Sequence, residues 1–131
     1  MSRGIVLLDS QGLSKLLDDD PHVVRLVRKA QAKDHLVGLS NLTLIEAWHH
    51  RMPLKQLHYE ASKLKVLPVS TEITWKAIDL LRDAGLHGHK YAIDAVVAAT
   101  ALEHPAPRIV VTSDVDDMYK LCGDRIEAVP V

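Results

Sequence analysis

Four acidic residues are placed where they could do chemistry together. Asp9 ends the run G-I-V-L-L-D, and Glu46 lies in L-S-N-L-T-L-I-E-A-W. Asp94 lies in Y-A-I-D-A-V-V-A-A-T-A-L, and Asp114 lies in V-V-T-S-D-V-D-D-M. Asp94 is the anomaly. From Tyr91 to Leu102 the chain is apolar nearly all round, apart from Asp94 and Thr100, which is the pattern of a buried helix. A carboxylate rarely enters such a helix unless it is paired or bound to a cation, because desolvating it alone is costly. Two partners are open to it: Lys90, four residues back, or a metal ion shared with other acids.

Four carboxylates drawn together repel one another. At about 5 Å and an effective dielectric near 20, each pair costs roughly 3 kcal/mol. Protons or cations must neutralise such a cluster. An all-carboxylate ligand set suits Mg²⁺ or Mn²⁺ rather than zinc or copper. An acid-held ion of this kind suits phosphodiester hydrolysis, in which it lowers the pKa of the attacking water and stabilises the leaving oxygen.

The elements that would position these acids alternate in type. Residues 4–9 read as a short buried strand. A helix follows over 10–17, with Asp9 or Ser10 as its N-cap. Asp20 at N-cap and Pro21 at N1 open a second helix. Its apolar side carries Val23, Leu26, Val27 and Ala30, and its wet side Arg25, Arg28, Lys29 and Lys33. Residues 36–39 form a second strand. The next helix is capped by Ser40 or Asn41 and carries the stripe Leu42, Ile45, Trp48, read as core or dimer interface. After Pro53, residues 54–64 are helical, 65–69 form a third strand, and 71–84 form an amphipathic helix closed by Gly85. The central helix follows the loop 86–88. Residues 108–111 form a fourth strand, a helix runs to about Leu121, and 126–129 form a fifth strand.

Buried strands alternating with helices predict an α/β fold, a parallel sheet covered on both faces. In open sheets of this kind ligands bind beyond the carboxyl ends of the strands, where the strand order reverses. An order of 3-2-1-4-5 puts that reversal between strands one and four, which lead into Asp9 and Asp114.

The 131 residues suit one domain, 1–131, and 47% apolar content suffices for a core without Phe. Charged residues make up 25% and the net charge is −1, which is not the basic balance of a non-specific nucleic-acid binder. A single cysteine, Cys122, forms no intramolecular disulfide, and a reducing cytoplasmic setting is expected. Neither a signal peptide nor a membrane-spanning run is expected.

The four motifs, in this order, resemble the PIN domain and, more narrowly, the VapC ribonuclease toxins of toxin–antitoxin pairs. The specific part is I-D-A-V-V-A-A-T-A-L followed by a strand and T-S-D-x-x-D, and the resemblance covers essentially the whole chain. It implies the 3-2-1-4-5 sheet and a Mg²⁺- or Mn²⁺-dependent endoribonuclease. It assigns Asp9, Glu46, Asp94 and Asp114 as metal-binding and catalytic acids and Asp117 as an accessory acid. Ser10, Thr112 and Ser113 would support the site through hydrogen bonds. It also implies single-stranded or structured RNA as substrate, a homodimer and a small VapB-like antitoxin that occludes the site.

Plainer readings stand beside these. Asp9 and Asp114 could be helix N-caps, Glu46 a solvated helix residue, and Asp94 an ion pair with Lys90. Glu46-x-x-His49 is half of a di-iron motif whose other half is missing. His87, His89, Arg51, Lys90 and Arg82 could meet phosphate or be solvated charges. The row Arg25, Arg28, Lys29, Lys33 could be an RNA track or a wet helix face. Two further functions compete with the nuclease: an inactive PIN-like RNA- or protein-binding module, and a phosphorelay receiver. The receiver needs an acceptor Asp after the third strand, where this chain has K-V-L-P-V-S. No G-x-G-x-x-G or Walker A sequence is present.

Overall fold

The computed structural model describes residues 3–131. Five short strands form one sheet: β1 (Ile5–Leu8), β2 (Leu36–Ser40), β3 (Lys65–Leu67), β4 (Arg108–Thr112) and β5 (Glu127–Pro130). Every neighbouring pair is parallel, and the order is β3-β2-β1-β4-β5, as expected. That order differs from the 2-1-3-4-5 arrangement of receiver-type folds, which removes the phosphorelay reading.

Seven α-helices are present among the described residues: α1 (Ser10–Leu17), α2 (Pro21–Ala32), α3 (Asn41–Ala47), α4 (Leu54–Ser62), α5 (Thr71–Ala84), α6 (Gly88–Leu102) and α7 (Val115–Cys122). β1 is buried at all four positions because both faces are covered. Ile5 and Leu7 join Val110, Met118 and Leu121 under α5, α6 and α7. Val6 and Leu8 join Val23, Val27, Leu57 and Val111 under α1, α2 and α4. No helix of the described residues is long and apolar enough to cross a membrane.

Local chemistry sets several boundaries. The Asp20 carboxylate accepts from the His22 and Val23 backbone N–H groups, with Pro21 at N1. Gly85 ends α5 in the left-handed region, at φ 68°. Ser40 belongs to β2 and caps α3 through its hydroxyl.

One expectation is narrowed and one is corrected. Of the two readings of the stripe Leu42, Ile45, Trp48, core does not hold throughout, which leaves interface: Leu42 is half-buried, but Ile45 is 73% exposed and Trp48 48% exposed. α3 ends at Ala47 and Trp48 is already extended, so the helix is too short to lay the whole stripe on the sheet. The central helix is also not buried along its whole length. Ala95 to Ala101 are buried, whereas Gly88 to Asp94 are half-buried or exposed. Tyr91 and Ile93 of the front half still pack against the core, and Asp94 is the last residue before the dry half begins.

Candidate metal centre

The acids are brought together at the carboxyl end of the sheet, where the strand order reverses between β1 and β4. β1 and β4 are neighbours at that switch, with Leu8 opposite Val111. Asp9 follows β1, and Asp114 lies two residues beyond β4. The Asp9 backbone N–H donates to the Val111 carbonyl at 3.1 Å, which ties the two strand ends together. Asp94 arrives from the middle of α6, Asp117 from the first turn of α7, and Glu46 from the last turn of α3.

Asp94, Asp114 and Asp117 are the closest group. One carboxylate oxygen from each lies within 4.8 Å of the other two. Glu46 lines the same cavity of about 370 Å³, together with His89, Lys90 and Tyr91. Asp9 stands behind this triad. It is 5% exposed, and its carboxylate accepts from the Gly12 N–H at 2.8 Å as the N-cap of α1. Thus Asp9 has the capping role that its sequence position allowed, and its charge still reaches the site. Asp114 occupies the N-cap position of α7 without making a side-chain cap bond. Its carboxylate faces the cavity instead.

Burial and the neighbouring charges act on Asp94 and Asp9. Burial pushes the Asp94 carboxyl up to about 7, and Asp114, Asp117, Glu46 and Asp9 act in the same direction. Burial also raises Asp9. Hydrogen bonds from the Thr112 side chain and from the Gly12 and Gln11 backbone oppose that rise, and the Asp114 charge adds to it. Lys90 does not supply the missing positive charge. No ion pair links it to Asp94, and its ammonium lies 5.2 Å from the centre of the Tyr91 ring. The Asp94–Lys90 reading is therefore set aside.

Thr112 is the hydrogen-bonding residue that holds the site. It is fully buried, bonds the Asp9 carboxylate, and accepts the Asp114 backbone N–H at 2.9 Å. Ser10 opens α1 half-buried, and Ser113 is exposed; neither hydroxyl makes a hydrogen bond among the described residues. Gly12 was missed by sequence reasoning. A Cβ there would sit 2.8 Å from the Val111 carbonyl oxygen, so glycine lets the first turn of α1 close against β4. The available signal was a glycine in the first turn of a helix, where it is disfavoured.

Other candidates lie elsewhere. His49 accepts the Arg51 N–H beyond the end of α3, which dissolves the half di-iron motif. His87 and Arg51 are exposed, and Arg82 pairs with Asp79 and Asp83 on the surface of α5. Arg25, Lys29 and Lys33 line a separate groove beside Val6, Ile109 and Val129.

The donor set fits a hard divalent ion. An ion of this kind holds oxygens at about 2.0–2.6 Å, so opposed ligand atoms lie roughly 4–5 Å apart. The three aspartates meet that spacing with all-oxygen donors.

Solved structures share this fold. VapBC2 from Rickettsia felis, bound to a DNA fragment from its promoter, superposes with a TM-score of 0.70 at 15% identity, over 97% of this chain and 98% of that one. A toxin–antitoxin complex from Klebsiella pneumoniae gives 0.66 at 16% identity, over 92% and 94%. FitAcB from Neisseria gonorrhoeae gives 0.64 at 20% identity, over 95% and 96%. No curated protein sequence matches this chain. A PIN domain profile matches residues 6–123, from inside β1 to just past α7, and on that ground the chain belongs to the PIN domain family.

Proposed function

We propose that this chain is a metal-dependent endoribonuclease and the toxin partner of a VapB-like antitoxin. The observation that carries the reading is the convergence of Asp94, Asp114 and Asp117 within 4.8 Å in a chain of the PIN domain family. Asp94, Asp114 and Asp117 would hold Mg²⁺ or Mn²⁺, with Glu46 at the same cavity and Asp9 behind it. A bound ion of this type lowers the pKa of the attacking water and stabilises the leaving oxygen. The chain's own residues prepare the site. Asp94 must give up its proton before its oxygen can act as a ligand. Thr112 holds Asp9 and the backbone of Asp114 in register, so the carboxylates need little rearrangement.

A protein partner is supported by a second surface. Leu44, Ile45, Trp48, Leu54 and Leu57 line an apolar groove of about 350 Å³ between α3 and α4. Exposed apolar groups of this size mark interaction sites. The groove would take the antitoxin or a second copy of the chain, and one of the structures sharing this fold is a toxin–antitoxin complex.

The test is cleavage of total RNA and transfer RNA by the purified chain, with Mg²⁺, with Mn²⁺ and with EDTA. Cleavage that needs the ion, and that is lost in a folded Asp94→Asn variant, is the expected result. Equal cleavage in EDTA would remove the metal mechanism. Ion binding without turnover on any RNA would favour an inactive binding module.

A further inference from the structure

A second cavity, of about 610 Å³, reaches the amino ends of the strands, where Pro107 and His35 line it just ahead of β4 and β2. The acids stand beyond the opposite, carboxyl ends. The floor of this cavity is a row of the sheet. Val6 is opposite Ile109, and Ile109 is opposite Glu127, so the row crosses β1, β4 and β5. Val129, two residues after Glu127, shares its face. The wall is α2. Arg25, Lys29 and Lys33 follow one another there at four-residue spacing, which makes a row of cations about 12 Å long. All three are exposed, and none makes an ion pair among the described residues. Glu127 is the only acid in the lining. Positive charge is therefore gathered beside an apolar floor in a chain whose net charge is −1. The Nδ1 of His35 is also buried without a hydrogen-bond partner among the described residues. Buried polar atoms seldom stay unpaired.

We propose that this cavity is a second site, which binds a free nucleoside polyphosphate independently of the acid cavity. A mostly apolar cavity of this volume with a few polar groups has the make-up of a small-molecule site. The cations call for an anion. A bare polyanion would leave the apolar floor unused, and a neutral apolar ligand would leave the cations unpaired. A heteroaromatic base joined to phosphates has both halves. The base lies on Val6, Ile109 and Val129. The phosphates meet the Arg25 guanidinium as a fork and the Lys29 and Lys33 ammonium groups as point charges. A polar edge of the base gives His35 Nδ1 the partner it lacks.

Isothermal titration of the whole chain in EDTA compares ATP with adenosine and with inorganic triphosphate. EDTA keeps a metal-bound nucleotide out of the acid cavity, where bare carboxylates repel phosphate. ATP is expected to bind about tenfold more tightly than either fragment. Equal affinity for ATP and inorganic triphosphate would reduce the site to a charged surface and overturn the proposal. Absence of ATP binding at about 1 mM would do the same. Arg25→Ala and Lys29→Ala, at exposed positions that leave folding intact, should each weaken ATP binding about threefold or more. Arg28→Ala removes the same charge from α2 but lines a different groove, beside Glu60 and Lys63, and should bind as wild type. Equal losses for Arg28→Ala and Lys29→Ala would show diffuse attraction and overturn the site. Glu127→Gln removes the one opposing charge and should tighten binding about two- to fivefold. Asp94→Asn should leave ATP binding unchanged. Loss of binding there, with Lys29→Ala unaffected, would move the nucleotide to the acid cavity and overturn the second site. RNA cleavage without ATP binding would remove this site alone, and ATP binding without cleavage would remove only the ribonuclease reading.

Discussion

The carboxylates of Asp94 and Asp114 approach within 4.8 Å of one another, and no cationic side chain forms an ion pair with either among the described residues. Two acids brought this close from different elements raise each other's affinity for a proton or a cation. The first prediction follows from that competition.

Without divalent ions, the chain should lose stability as pH rises through neutrality. The folded-state pKa of Asp94, about 7, lies above its ordinary value of 3.8. Its stabilising contribution is therefore fully present below about 3.8 and is lost as pH rises through about 7. In EDTA, Tm should fall by a few degrees between about pH 5 and pH 8, since 1 kcal/mol moves Tm by roughly 2–8 °C in small domains. Asp94→Asn should flatten that part of the slope, and Mg²⁺ or Mn²⁺ should restore Tm in wild type only. Parallel pH profiles for wild type and variant would show that Asp94 is not the source.

Thr112 should be costly to replace with a residue of the same shape. Thr112→Val removes the hydroxyl that serves Asp9 and the Asp114 N–H. Leaving buried polar groups unpaired costs about 1–3 kcal/mol, and denaturant titration reads that loss directly. Thr112→Ser should recover most of it. Comparable midpoints for Val and wild type would mean that water replaces the hydroxyl without penalty.

Gly12→Ala should destabilise the chain even though alanine is the better helix former. The added methyl meets the Val111 carbonyl oxygen at 2.8 Å, and backbone on both sides limits relief. Overpacking of this kind costs about 1–3 kcal/mol. A rise in the denaturation midpoint instead would show that α1 can move away from β4.

The α3–α4 groove should matter to association and not to folding. Ile45 is 73% exposed and Leu54 58% exposed, so Ile45→Glu and Leu54→Glu should leave stability within about 0.5 kcal/mol. Sedimentation velocity should show weaker self-association, or weaker binding of a co-expressed antitoxin. Unchanged sedimentation in both settings would assign the groove no partner.

Much of this was legible in the chain. The strands announced themselves as short apolar runs, and the acids at their ends fell together where the strand order reverses between β1 and β4. Periodicity cannot report what covers a face, and the misreadings share that cause. Ile45 and Trp48 repeat like core residues, but α3 stops at Ala47 before it can bury them. Tyr91, Ala92 and Ile93 read as interior, but Ala92 is exposed and Tyr91 and Ile93 are covered on one side only. Asp9 looked like either a cap or a site acid, and its short side chain caps α1 while its charge bears on Asp94. Gly12 stood out as a glycine in the first turn of a helix, but what it packs against, the Val111 carbonyl, is distant in sequence and could not be read from the chain.

The division of α6 into a wet front and a dry rear has a mechanical consequence. The rear half, Ala95–Ala101, is wedged among neighbours that leave it one angular setting. One residue inserted there would turn Asp94 by about 100° relative to that anchor and carry its oxygens out of reach of Asp114. The same insertion in the loop ahead of Gly88 would leave the bearing of Asp94 untouched. Drift in chain length is therefore tolerable upstream of this acid and ruinous just behind it.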